Sequence, residues 1–159
     1  MSTTSPPSFD DVKYGFFPSS CSPRFEPGEP DGIKIAAPAK FSVTSREDGH
    51  AMLPFCVSMR FNAYYLSKFP QVFEALKVVL VDDENDQVMS GGIWRDRHYI
   101  PNPPSPIPRE ELEKRIALKY STVNLLEFFR LPARKARYNV YTMLEEHKSN
   151  IITIETVPE

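Results

Sequence analysis

Two cysteines, one tryptophan and six glycines are few for a chain of 159 residues, and each scarcity excludes something. Cys21 and Cys56 lack the dense spacing of a small secreted disulfide scaffold and the paired spacing of a zinc site. A bond between them is one option, and two free thiols are the expectation. The glycines form no phosphate-cradling loop, since Gly91 and Gly92 are followed by Ile93 and Trp94 with no lysine. Charge of one sign is lacking too: the net charge is −2 and the pI is about 6.0, so no global field concentrates nucleic acid or an anionic membrane. No apolar run approaches the roughly 20 residues of a spanning helix. The opening residues, MSTTSPPSFDDVKYG, carry neither the basic nor the apolar region of a secretory leader. A soluble, cytoplasmic protein is the expectation.

What is present is a globular composition, with 41% hydrophobic and 25% charged residues, including eleven Phe and seven Tyr. This fits one domain able to bury a core without staples. Proline is in excess, at 16 where a usual frequency predicts about 8. Residues 1–32 hold six of these prolines, at Pro6, Pro7, Pro18, Pro23, Pro27 and Pro30, and read as an arm without regular structure. Its aromatics, Tyr14, Phe16, Phe17 and Phe25, are too many for a solvated tail, so part of the arm is expected to pack on a domain spanning 33–157.

Within that domain, residues 33–37 and 41–45 read as strands separated by Pro38. In PFCVSMRFN, Phe55, Val57, Met59 and Phe61 alternate with Cys56, Ser58, Arg60 and Asn62, the period of a strand with one core face and one wet or covered face. Residues 64–75 suit a short helix or irregular connection interrupted by Pro70. Next, LKVVLVD is apolar at both parities and reads as a central strand buried on two sides. DDENDQ then turns the chain back through Val88 and Met89. Residues 91–108 contain five prolines and no periodicity, a length of loop usually associated with function or disorder. Pro108 opens a short helix, in which Glu110 with Lys114 and Glu111 with Arg115 are spaced i,i+4 and Leu112 and Ile116 share another face.

The segment 123–157 closes the domain. RYNVYTML places Tyr138, Val140 and Leu144 on one face and Arg137, Asn139, Tyr141 and Met143 on the other. NIITIETV is rich in β-branched residues, and EEHKS turns between the two. LPARKARYNVYTML followed by SNIITIETV resembles the last hairpin of bacterial immunoglobulin-like or fibronectin-type-III-like domains, through Leu131, Pro132, Tyr138 and Val140. The resemblance implies an all-β, antiparallel immunoglobulin-like sandwich with one or two short helices in its connections. It also implies a structural role for Tyr138, whose hydroxyl would bond to upstream backbone as a tyrosine corner. It covers about a quarter of the chain and departs at the glycine usual before the tyrosine, where Arg134, Lys135 and Ala136 stand. Such a resemblance carries fold and no activity.

Candidate chemistry is sparse. Cys56 with His50, His98 or His147 is the cysteine pairing that would suit an enzyme, yet no catalytic-cysteine signature surrounds it. The three histidines are isolated in sequence, and Asp82, Asp83, Glu84, Asn85 and Asp86 lack the glycine and distal glutamate of a calcium loop, so no metal and no cofactor are expected. Arg130, Arg134, Lys135 and Arg137 form a basic cluster with few aromatics, which reads as a solvated rim. Trp94, Arg95, Arg97, His98 and Tyr99 concentrate residue types that dominate interfaces, so this loop is the candidate binding site. The expected function is a non-catalytic interaction module of inhibitor, immunity or assembly type with a protein partner, and with neither nucleic acid nor membrane as ligand. The alternatives are a Cys–His enzyme built from loops and a homo-oligomer formed through the edge of the last strand, where Glu155 alone discourages pairing.

Overall fold

A computed structural model describes residues 8–9, 12–43, 52–69, 71–93, 107–131 and 134–158. The strands are β1 (Gly32–Ala36), β2 (Lys40–Val43), β3 (Pro54–Asn62), β4 (Lys77–Asp82), β5 (Val88–Gly91), β6 (Ile116–Asn124), β7 (Ala136–Leu144), β8 (His147–Lys148) and β9 (Ile152–Pro158). Three short helices, α1 (Ala63–Ser67), α2 (Val72–Ala75) and α3 (Arg109–Glu113), lie in the connections. Among the described residues the strands form two sheets, one ordered β1-β3-β6 and the other β2-β9-β7-β4-β5, with β8 alongside β7. No described helix is long and apolar enough to cross a membrane.

Alternation decides which side chains face inward. Phe55, Val57, Met59 and Phe61 of β3 join Ile33 and Ile35 of β1 on one side of the first sheet, and Val78, Leu80, Tyr138, Val140, Leu144 and Ile154 come from the second. All belong to a single apolar core, so the two sheets stabilise each other by removing these faces from water. The residues RYNVYTML present the faces that their period predicts, and β4 lies between β5 and β7 with Val78, Val79 and Leu80 buried. Asn150 joins the sheets directly: its amide oxygen accepts from the Ile35 N–H at 2.8 Å and its amide nitrogen donates to the Ile35 carbonyl at 3.2 Å. That pairing satisfies the outer edge of β1 at this residue.

Four expectations are corrected. The architecture is β-rich but not wholly antiparallel, because β2 runs parallel to β9 with Lys40 opposite Glu155. For the same reason the last strand is not an edge along its whole length: β9 lies between β2 and β7, with β2 paired to its residues Glu155–Pro158. The helix after Pro108 stops at Glu113, and the ion pair on it is Arg109 with Glu113 at 2.8 Å, in place of the two pairs expected further on. Ile116 starts a nine-residue strand, β6, paired along its length with β3. Only Ile116 of this strand belongs to the expected helical spacing, and long-range pairing with β3 overrides that local spacing at its first residue. Finally, Cys21 and Cys56 are not free thiols but a disulfide, with Cα atoms 6.0 Å apart. Sequence distance hid it because the arm folds back over the sheet.

Tyr138 is buried and fills the core, and burial raises its phenol above the ordinary range. Its hydroxyl has no hydrogen-bond partner among the described residues. Pro132, one of the residues carrying the immunoglobulin-like resemblance, lies outside them.

Candidate functional site

The arm provides the most distinctive surface. On the outer face of the first sheet, β3 presents Cys56 and Ser58, both fully buried, so the face opposite the core is covered. Residues 8–9 and 12–22 of the arm lie over it. Phe9 and Val12 pack against Ala36, Cys21 and Cys56, and the disulfide fastens this small apolar cluster to the middle of the sheet. The loop closes on itself: the Ser8 N–H donates to the Ser20 carbonyl at 3.1 Å and the Lys13 N–H to Ser19 Oγ at 3.0 Å. Ser19 and Ser22 exchange two further bonds, from Ser19 N–H to Ser22 Oγ at 2.8 Å and from Ser22 N–H to the Ser19 carbonyl at 3.0 Å. Proline at position 18 limits the backbone between these anchors. Beyond the disulfide the arm stays tied down, since Lys34 donates to the Arg24 carbonyl and pairs with Glu29 while Arg60 donates to the Glu26 carbonyl.

The closed loop carries its tip across the edge of β6. Gly15 forms a one-residue antiparallel bridge to Thr122, with N–H to carbonyl distances of 3.0 and 2.9 Å in the two directions. Gly15 has φ +147°, and a β-carbon there would overlap the Phe17 ring, so this crossing requires glycine. Its neighbours are aromatic and remain in water to a large degree: Tyr14 is 38%, Phe16 51% and Phe17 44% exposed. Phe16 leans toward Phe73 of α2 with ring centroids 5.5 Å apart, and burial followed by the Glu127 carboxylate raises the Tyr14 phenol. Three large aromatic rings are thus presented by a loop that is cross-linked, hydrogen-bonded to itself and bridged to a strand.

The sequence-derived candidates fare differently. Trp94, Arg95, Arg97, His98 and Tyr99 lie outside the described residues; the chain reaches them from Ile93, which is buried. Cys56 is half of the disulfide, so a Cys56 thiolate is not available as a nucleophile in this state. Of the histidines, His50 and His98 lie outside the described residues, while His147 packs against Phe61 and Tyr65 at 4.8 and 5.3 Å between ring centroids. The acidic turn and the basic cluster meet each other. Asp82 is buried at the end of β4, accepts from the Glu84 N–H at 2.9 Å and pairs with Arg134 at 2.5 Å, and Glu84 reaches the same guanidinium at 3.7 Å. The Glu84 N–H and then Arg134 hold the Asp82 carboxyl below its ordinary range. Through Arg134, the basic cluster thus supplies the counter-charge of Asp82 and Glu84 in the acidic turn.

The aromatic tip was visible in the sequence only as a surplus of rings in a proline-rich arm. Its position became definite through Gly15, whose partner Thr122 is more than a hundred residues away. Compared with protein-family models and with curated proteins, the chain matches none.

Proposed function

We propose that the protein is a non-catalytic protein-binding module and that the aromatic tip of its arm is a principal contact surface. The observation that carries this reading is the exposure of Tyr14, Phe16 and Phe17 on a loop held by the Cys21–Cys56 disulfide. Exposed aromatic surface costs free energy in water, and rigid aromatic side chains recover it on a partner with little ordering entropy. The Trp94 to Tyr99 segment, with Arg95, Arg97 and His98, is the second contact element of the same reading. Two sheets sharing one core are compatible with an immunoglobulin-like or fibronectin-type-III-like sandwich, a frame whose loops commonly carry recognition, although the parallel β2–β9 pair departs from an all-antiparallel pattern. The buried disulfide supports an oxidising compartment as the alternative to the cytoplasmic placement read from the sequence.

The test is copurification from a native lysate with the wild-type chain, a Phe16→Ser/Phe17→Ser variant, and Val88→Ser as a control at another exposed apolar residue. Wild type and control retain a common partner, and the tip variant loses it or binds it at least about 30-fold more weakly, as removal of a hot-spot aromatic costs about 2 kcal/mol or more. Retention of every partner by the tip variant, with an unchanged melting curve, would overturn the reading.

A further inference from the structure

Strand β6 carries a second surface, independent of the aromatic tip. One of its edges is paired with β3 throughout, and the other meets Gly15 at Thr122. From Ile116 to Tyr120 no described residue pairs with that outer edge. Thr122 uses both its N–H and its carbonyl toward Gly15, so by alternation the N–H and carbonyl groups of Tyr120, Leu118 and Ile116 also point away from β3. The side chains at these positions lie on the outer face of the sheet, where Ile116 is 57% and Leu118 48% exposed. An open ladder lined by apolar side chains is what sheets ordinarily avoid.

The sequence of the open window is self-complementary in one antiparallel register. With Leu118 opposite Leu118 of a second copy, Ile116 faces Tyr120, a favourable β-branched and aromatic cross-strand pair, and Lys119 faces Ala117. Moving the centre to Lys119 sets two lysines directly opposite one another, and moving it to Ala117 sets Lys119 opposite Arg115. Moving it to Tyr120 places Leu118 opposite Thr122, where Gly15 already sits. Charge, the Gly15 bridge and the start of the strand at Ile116, which leaves Lys114 of the α3 C-cap outside the ladder, together leave the Leu118-centred register.

We infer that the protein forms a two-fold symmetric homodimer by antiparallel pairing of residues 116–120 of β6 with the same residues of a second copy. The closed two-fold geometry makes the contact finite, and the Gly15 bridge of each copy bounds the ladder. A five-residue ladder falls below the area of a permanent interface, so the dimer is concentration-dependent, with dissociation constants on the order of 10 μM to 1 mM.

Sedimentation velocity of the full chain over that concentration range tests the assembly, and single-cysteine variants test the register. Cys21 and Cys56 are the chain's two native cysteines and are bonded to each other, so an added thiol is the one free to react. Under mild oxidation Leu118→Cys forms a covalent dimer, because a hydrogen-bonded antiparallel pair holds its Cα atoms about 5.5 Å apart, within disulfide reach. Tyr120→Cys does not, because in this register its copies lie about 14 Å apart. Leu118→Lys, which sets like charges at the two-fold axis, weakens self-association at least about tenfold. A wild-type chain monomeric across the whole range, or equal cross-linking at positions 118 and 120, would sink the proposal. Neither result bears on partner capture by Phe16 and Phe17.

Discussion

Tyr138 shows how far a single residue can be read. Its alternation with Val140 and Leu144 predicts a core side chain, and the side chain is in the core. The hydrogen bond that a tyrosine corner requires depends on another segment, and among the described residues the hydroxyl has no partner. Tyr138→Phe is therefore expected to leave stability unchanged or slightly raised in urea denaturation, where loss of a satisfied buried bond would cost about 1 kcal/mol or more. Asp82 makes the complementary case, a buried charge that is fully engaged. Its carboxyl is lowered in the folded chain, so the unfolded chain binds that proton more tightly. The stabilisation is complete above the ordinary carboxylate range and is lost as the pH falls through the lowered folded value. Asp82→Asn should lower the urea midpoint at pH 7 and flatten the acid side of the stability curve. The share due to Glu29, which Lys34 holds low, should remain. Equal acid sensitivity in variant and wild type would refute the assignment.

At the scale of elements, the arm behaves as part of the fold. Ser8 bonds to Ser20 and Lys13 to Ser19, closing the described part of the arm on itself, and a disulfide spanning 35 positions fastens it to β3. A loop of that length implies about 3–4 kcal/mol of stabilisation from restriction of the unfolded chain. Cys21→Ala/Cys56→Ala is expected to lose an amount of this order in denaturant unfolding. It should also speed amide exchange at Gly15 and Thr122, whose bridge depends on where the arm lies. Exchange that is unchanged at both amides would show that the bridge holds the arm without the disulfide. Residues 64–75 read as a short helix or irregular connection interrupted by Pro70, and two helices, α1 and α2, form there; their capping follows from local chemistry, since Asn62 accepts from the Tyr64 N–H and Gln71 from the Phe73 N–H. Strand β6 was not readable, because Ile116 also continues the helical spacing of the residues before it and the strand's inner face, Ala117, Lys119 and Ser121, is not apolar enough to mark a period of two. Only pairing with β3 decides between the two.

For the whole molecule, the two surfaces of interest lie along one edge. The aromatic tip crosses β6 at Thr122, and the open ladder begins two residues earlier, at Tyr120. In the proposed dimer the two tips flank the ladder, so a single assembly would present both for binding. The sequence by itself determined the strand periods, the central position of β4, the inward faces of β3 and β7 and the turn after β4. Each of these follows from side chains within a few residues of one another, alternating between water and core. Tertiary structure alone decided the parallel β2–β9 pair, the Cys21–Cys56 bond, the Asp82–Arg134 neutralisation and the seating of the aromatic tip on Thr122. These contacts join residues 35 to 115 positions apart for one physical reason: burial of a shared core sets which distant segments become neighbours, and local propensity carries no record of that choice.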